Sequence, residues 1–163
     1  MNDAVLIYLF TARGRQGDAR QGVGIGAHVM DGPSVRLFKG HGYASDGEFP
    51  RAYATYQLLD LFPGRNLKLY TEGFQKRLQD FHLGSGKTAK GKPYVGSEYL
   101  AEIGKARSRL IVMQPPSGFS PDYLMAKHAA RDALKHLEEH PESRNFVPVV
   151  MSRNHIVDFK EVR

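Results

Sequence analysis

Cysteine is absent from this chain of 163 residues. Disulfides, cysteine nucleophiles, zinc fingers and iron–sulfur clusters are therefore excluded, and the composition fits a reducing compartment. No apolar run approaches the roughly 18 residues that a membrane-spanning helix needs. The apolar residues 5–10 also lack the basic start and the small-residue cleavage site of a signal peptide. We therefore expect a cytoplasmic protein with no membrane partner.

Acidic side chains are outnumbered by basic ones, 17 to 23, and the deficit lies in one part of the chain. Residues 1–110 carry 16 basic and 10 acidic side chains, whereas residues 111–163 carry 7 of each. This asymmetry favours a polyanionic partner on one face of the protein. A net charge of +6 also occurs in proteins without a nucleic-acid role, so charge alone leaves both interpretations open.

Hydrophobic periodicity predicts an α/β domain. Continuous or alternating apolar stretches that are bounded by turn residues predict strands at residues 5–10, 22–30, 34–40, 66–71 and 110–113. The first three strands form an antiparallel meander, because short turn sequences connect them. Apolar residues at helical spacing predict helices that begin near residues 50, 74, 97 and 120–122.

The end of the chain predicts a separate hairpin. Residues 146–151 and 156–159 are extended stretches on either side of the turn residues 152–154, a pattern typical of two paired strands. We therefore assign residues 1–140 to one domain and residues 141–163 to a C-terminal hairpin extension that packs on it.

Two glycine-rich segments resemble phosphate-binding loops only superficially. Residues 84–88 read GSGKT, but the first glycine of a P-loop is replaced by Phe81, and the segment follows a helical stripe rather than a strand. Gly22, Gly24 and Gly26 have the spacing of a dinucleotide fingerprint, but no helix follows them. Such glycines predict a strand that another backbone approaches closely. We therefore expect no nucleotide ligand.

Five short segments carry a more specific signal. They are TARG to GIGA (residues 11–27), PRAYA (50–54), LYTEG (69–73), KTAKGKPYVGSEYL (87–100) and GFSPD (118–122). In this order they resemble the TDG and GxGA, NRAEL, YTDS, pre-DLW and GHPEN motifs of type 1 ribonuclease H, over about residues 4–138. The resemblance implies a ribonuclease H-like fold, with a five-stranded mixed sheet of an antiparallel meander and two parallel strands, flanked by helices.

The acidic positions of these motifs differ from the family pattern. In the family, four acidic side chains hold two divalent ions on either side of the scissile phosphate. The corresponding positions here are Ala12, Tyr53, Glu72 and Ala126, and Phe119 replaces the loop histidine. Two dications about 4 Å apart repel each other by roughly 4 kcal/mol even at the dielectric constant of water, and one glutamate cannot offset this. The resemblance therefore implies a degenerate active site without a metal cofactor.

Other carboxylates leave an alternative open. A shifted alignment places Asp122 at the fourth acidic position, which makes Glu72 and Asp122 residual candidates for binding Mg²⁺ or Mn²⁺. Asp18, Asp46 and Glu48 are further candidates, although turn and helix-end positions explain them more simply. This alternative is a metal-dependent ribonuclease H with a rearranged carboxylate site.

Nucleic-acid binding is the function that the resemblance favours once cleavage is lost. Family members grip duplexes through the backbone and the 2′-hydroxyl groups, a recognition of shape that does not itself need metals. We therefore expect an RNA/DNA hybrid or duplex RNA as partner. The candidate phosphate contacts are Arg13, Arg15, Arg20, Lys39, Arg51, Lys87, Lys90 and Lys92. A protein-interaction scaffold, which uses the terminal hairpin as a docking edge, is the alternative.

Overall fold

The computed structural model describes residues 4–16, 21–44, 48–83, 86–87, 90–92, 94, 96–116, 120–139 and 155–162. These residues form a mixed sheet with helices on both faces. The strands are β1 Val5–Gln16, β2 Gln21–Asp31, β3 Ser34–Ala44, β4 Leu67–Tyr70, β5 Leu110–Met113 and β6 His155–Glu161. The helices are α1 Glu48–Leu61, α2 Phe74–Leu83, α3 Ser97–Lys105 and α4 Pro121–Glu139.

The strand order across the sheet is β5-β4-β1-β2-β3-β6. The pairs within β1, β2 and β3 are antiparallel, whereas β4 pairs in parallel with β1 and with β5. Gly32 in the β2–β3 turn has a φ of 60°, which glycine adopts without steric cost. Two neighbouring parallel strands must be joined by a long connection. The connection that leads into β4 contains α1, and the connection from β4 to β5 contains α2 and α3. The predicted meander followed by two parallel strands is confirmed.

The sheet has six strands rather than the predicted five. The second half of the predicted hairpin, residues 156–159, lies within β6, which pairs antiparallel with β3 at the edge of the main sheet. The first half, residues 146–151, lies outside the described residues. Arg36 and Glu161 join the two strands through a 2.7 Å ion pair. The prediction missed this pairing because β3 offers an open backbone edge that only a distant segment satisfies. The division at residue 140 stays a prediction.

The two faces of the sheet pack against different helices. Val5, Ile7 and Leu9 of β1 belong to the main core, which α1, α2 and α3 close. The intervening residues Tyr8 and Phe10 point the other way and pack with α4, because successive strand residues alternate between faces. Across the described residues, no helix has both the length and the apolar character needed to cross a membrane.

Glycines of β2 allow α4 to lie directly against the strand backbone. A Cβ atom on Gly26 would overlap the carbonyl oxygen of Ala126, and one on Gly24 would overlap that of Ala130. The spaced glycines therefore serve close packing of two backbones, as the sequence predicts, and both helix residues are small and buried. This contact sets the distance between α4 and the sheet.

Substitution of Gly26 by alanine tests this contact. We expect Gly26→Ala to lower the free energy of unfolding by about 3 kcal/mol, because α4 must move away from the sheet to admit the methyl group. Gly22→Ala is the matched control on the same strand, since its Cβ would meet Leu137 at 3.4 Å, an ordinary contact. Denaturant unfolding of both variants measures the difference, and equal stabilities would show that α4 is not held against β2 by close backbone contact.

Candidate functional site

Glu72 marks the site because it lies two residues beyond the end of β4, where the parallel strands β4 and β5 end together. The backbone N–H of Thr71 still donates a hydrogen bond to the carbonyl of Met113, at 3.0 Å, so the chain leaves the sheet only at Glu72. The Glu72 side chain is exposed, whereas Thr71 is buried. One carboxylate is therefore presented at the carboxyl end of the parallel strands.

Tyr123 in the first turn of α4 interacts with the Glu72 carboxylate. Its side chain is 1% exposed, and its hydroxyl donates a hydrogen bond to Glu72. Burial, together with the negative charge of Glu72, raises the pKa of Tyr123 to about 12, although the positive charge of Arg51 opposes the shift. The phenol is therefore neutral at physiological pH and acts as a hydrogen-bond donor to Glu72.

Arg51 brings a guanidinium group to the same region from the first turns of α1. Its Nη1 atom lies 3.0 Å and 3.1 Å from the two carboxylate oxygens of Glu48. The side chain of Arg51 is 13% exposed, and its Nε atom is buried without a hydrogen-bond partner among the described residues. Because Arg51 also acts electrostatically on Tyr123, a fixed positive charge lies near Glu72.

The positions expected to be acidic have other roles. Ala12 is buried on β1 opposite Gly24. Ala126 is fully buried and packs with Tyr8 and Tyr123. Tyr53 faces α3, where its ring meets that of Tyr99 edge-on at 5.4 Å between centroids. These three side chains contribute packing rather than ligands, and Phe119 lies outside the described residues.

Asp122 is engaged with the sheet rather than with Glu72. Its Oδ1 atom lies 3.4 Å from Nε2 of His28 on β2. Burial and the charge of Asp122 together raise the pKa of Tyr8, whose ring stacks on Tyr70 with 4.7 Å between centroids. The second residual ligand candidate thus lies next to a histidine.

The donor set does not fit a pair of divalent metal ions. Glu72 accepts a hydrogen bond from Tyr123, Glu48 is paired with Arg51, and Asp122 faces His28. Asp18 and Asp46 lie outside the described residues. Within the part of the chain that the structure describes, no three histidine, aspartate or glutamate side chains come close enough to hold a metal ion. Magnesium prefers several carboxylate or water oxygens, and these three carboxylates are each engaged with a different protein group.

The predicted phosphate contacts do not form one surface. Arg13 is exposed and pairs with Val23, which faces the main core, so that Arg13 lies on the α1 side of the sheet. Lys39 pairs with Gly26 and therefore lies on the α4 side. Arg51 is committed to Glu48. Arg20 and the side chain of Arg15 lie outside the described residues.

A second group of predicted contacts is accessible. Lys87, Lys90 and Lys92 are all exposed in the segment between α2 and α3, which belongs to the α1 side of the sheet.

Sequence reasoning missed Tyr123, because an aromatic residue in an amphipathic helix gives no signal for a hydrogen bond to a strand end. It also took Arg51 for a surface contact, although the Glu48 to Arg51 spacing of three residues on a helix was a usable signal for an ion pair.

Comparisons with known proteins agree on the fold. Foamy viral protease-reverse transcriptase in complex with RNA/DNA hybrid superposes with a TM-score of 0.62 and 12% identity, over 83% of this chain and 20% of that one. A dsDNA complex of the same protein gives 0.61 and 11% identity, over 82% and 95%. An RNase H1 isolated from compost by a metagenomic approach gives 0.57 and 18% identity, over 85% and 99%.

The chain therefore has a ribonuclease H-like fold, the class that both the order of its strands and these superpositions define. It spans only about a fifth of the length of the first of these structures. No family model matches the sequence, and no curated protein matches it either.

The burial of Tyr123 beside the negative charge of Glu72 makes a testable prediction about pH. An unfolded tyrosine has a pKa of about 10, so the raised pKa of about 12 stabilises the folded state fully below pH 10, and this contribution is lost as pH rises towards 12. We expect Tyr123→Phe to remove about 1 kcal/mol of the decline in the free energy of unfolding between pH 9 and pH 11. Denaturant unfolding at pH 9 and pH 11 measures it. If Tyr123→Phe keeps the wild-type pH profile, burial beside Glu72 does not raise the pKa of Tyr123 in the folded chain.

Proposed function

We propose that this chain is a ribonuclease H-like protein that binds RNA/DNA hybrid or a related structured nucleic acid and does not cleave it. The observation that carries the proposal is the composition of the site around Glu72. One carboxylate stands where the fold's metal-dependent enzymes need four, and the guanidinium of Arg51 lies nearby. A site of this composition binds nucleic acid by shape and charge, without the paired ions that activate water.

Charge and fold support a nucleic-acid partner. The exposed residues Lys87, Lys90 and Lys92 lie in a segment without acidic residues from position 84 to 92, so a phosphate backbone is attracted there. Arg13 is exposed on the same side of the sheet. The similar foamy viral structures are complexes with RNA/DNA hybrid and with dsDNA, and we extend this partner class to the present chain as part of the proposal.

Salt dependence of binding tests the partner. We expect a fluorescently labelled hybrid to bind the wild-type chain with a negative slope of log Kobs against log salt, and the triple variant Lys87→Gln, Lys90→Gln, Lys92→Gln to flatten that slope by roughly 2 to 3, because each lost phosphate contact removes about 0.9. Fluorescence anisotropy at several salt concentrations measures both slopes.

The matched control for charge is the triple variant Lys76→Gln, Lys105→Gln, Lys135→Gln, which removes the same formal charge elsewhere and should reduce the slope far less. Equal effects of the two triple variants would mean that only the net charge matters, and absence of salt-dependent binding by the wild-type chain would refute the proposed partner.

Cleavage is tested separately on the same hybrid. We expect no product with Mg²⁺ or Mn²⁺, because Arg51 and the single available carboxylate do not compensate the charge of two dications. Gel analysis of the incubated hybrid measures this, and calorimetry should show no tight binding of two Mn²⁺ ions. Metal-dependent cleavage that Glu72→Gln abolishes would establish instead the rearranged site with Glu72 and Asp122.

A protein-interaction scaffold is the second candidate, and one observation favours it. Ile111 and Met113 on the edge strand β5 are 54% and 41% exposed, and edge strands can pair with a partner strand. This edge is at the opposite end of the sheet from β6, where the sequence predicted a docking hairpin. A chain that binds no nucleic acid yet elutes as a concentration-dependent oligomer would favour the scaffold.

A further inference from the structure

The outer edge of β5 presents backbone groups that can pair with another strand. β5 lies at the end of the sheet opposite to β6. The carbonyl groups of Arg109 and Met113 accept hydrogen bonds from the β4 side of the sheet. Because the backbone groups of successive strand residues point to opposite edges, those of Leu110 and Val112 point outward. Among the described residues no strand pairs with them there, and an edge of this kind is a template for a further strand.

An apolar groove of about 310 Å³ runs beside this edge, between β5 and the helices α2 and α3. Its aliphatic walls include Leu78 on α2, Ile103 on α3, and Leu110 and Val112 on β5. All four side chains belong to the main core or pack against it, so the shape of the groove is fixed by the fold. The apolar side chains of a strand added to β5 would therefore find a preformed groove on this face of the sheet.

The other face of β5 is also apolar and is left open. Ile111 and Met113 point away from the groove, because successive strand residues alternate between faces. The helix on their side, α4, packs on β1, β2 and β3, and the two side chains remain 54% and 41% exposed. An added strand would cover apolar surface on both of its faces. The segment that fits this edge is therefore extended and apolar at successive positions.

Polar groups on the rim of the groove define the rest of the occupant. Gln75 and Gln79 lie one turn apart on α2 and are exposed, and their carboxamides can both donate and accept hydrogen bonds. His82 and Arg107 are exposed on the rim as well. None of the described lining residues is acidic. The charge of the rim is therefore complementary to an acidic residue next to the apolar segment.

Two other occupants match this surface less well. A second copy of the chain would bring a net charge of +6 to the interface, so that like charges would repel. A nucleic acid needs several cations along its backbone, whereas Arg107 is the one lysine or arginine among the described lining residues. An acidic and apolar protein segment satisfies the charge, the aliphatic walls and the backbone edge together.

We propose that the edge of β5 and the groove beside it bind an extended, apolar segment of a protein partner that carries acidic residues next to its apolar run. The backbone of β5 pairs with the segment, the groove takes alternate side chains, and Arg107 attracts the acidic residue. The inference goes beyond the proposed function, because it adds a protein partner at a separate place. It does not depend on whether nucleic acid binds.

The experiment uses a synthetic probe, a fluorescently labelled peptide of alternating valine and leucine with glutamates at both ends. Fluorescence anisotropy should show binding to the full chain. A peptide with proline at alternate positions should bind at least tenfold more weakly, because proline lacks the N–H group that a strand pair needs. Absence of binding at about 1 mM probe, where even a weak specific site fills, overturns the proposal.

Charge reversal tests the role of Arg107. Arg107→Glu should weaken binding of the glutamate probe about tenfold, because attraction is replaced by repulsion, and should favour a probe with lysines in place of the glutamates. Lys135→Glu is the matched control on α4, outside the groove and 71% exposed, and should change the affinity less than twofold. If the two variants act equally, the groove does not select an acidic segment.

A second pair of variants tests the edge itself. Ile111→Lys should weaken probe binding about tenfold, because a lysine on an edge strand opposes the docking of another strand. Val35→Lys places the same change at a strand residue that is 60% exposed outside the groove, and it should leave binding unchanged. Both variants should keep the wild-type melting temperature, since both positions are exposed. Equal binding by the two variants overturns the edge contact.

Amide hydrogen exchange on the wild-type chain locates the bound probe. Saturation with the probe should slow exchange of the outward N–H groups of Leu110 and Val112 at least tenfold, because they become hydrogen-bonded. Binding without this protection overturns the proposal. Displacement of the probe by an RNA/DNA hybrid would assign the groove to nucleic acid instead, and a dimer that Ile111→Lys dissociates would assign the edge to a second copy. Either result also overturns the proposal and leaves the proposed function standing.

Discussion

The contact between α4 and the glycines of β2 is the constraint on which the rest of the structure depends. Because Gly24 and Gly26 have no side chains, the helix backbone rests on the strand, with Ala126 and Ala130 at the contact. The helix then reaches from the end of β4 to β3. Its first turn brings Tyr123 to Glu72, and its last turns bring His136 to His41. Both of these contacts are therefore consequences of one close approach.

Each charged side chain around Glu72 has a partner within the protein. The half-buried guanidinium of Arg51 is paired with Glu48, and Glu72 receives a hydrogen bond from a neutral phenol. Arg51 and the phenol of Tyr123 supply the positive charge and the hydrogen bond that metal ions and water supply to carboxylates in a metal site. Removing these groups from water costs free energy. A cluster of this kind stabilises the end of β4 and the start of α4. It also explains why the proposed function depends on surface charge and shape rather than on chemistry at Glu72.

Local patterns predicted most of the fold correctly, and the errors have a common origin. The turn at residues 31–33, the glycine spacing of β2 and the apolar stripes of α1 and α4 each act within a short segment, and each is found in the structure. The prediction of five strands was wrong because β6 pairs with β3, which lies more than a hundred residues earlier. Such a pairing depends on which sheet edge is left open, and no local pattern records that. The residues at the positions that the resemblance aligns with acidic side chains were visible in the sequence, whereas the contact between Tyr123 and Glu72 was not.

The sequence by itself determined most of the secondary structure and the ribonuclease H-like order of elements, because these depend on residue chemistry and on spacing within single elements. Only the tertiary structure decided which basic residues share a surface. It separated Arg13 from Lys39 across the sheet, tied Arg51 to Glu48 and set Lys160 opposite Lys39. The physical reason is that strand register and helix packing orient each side chain, and both arise from contacts between segments that are distant in the chain.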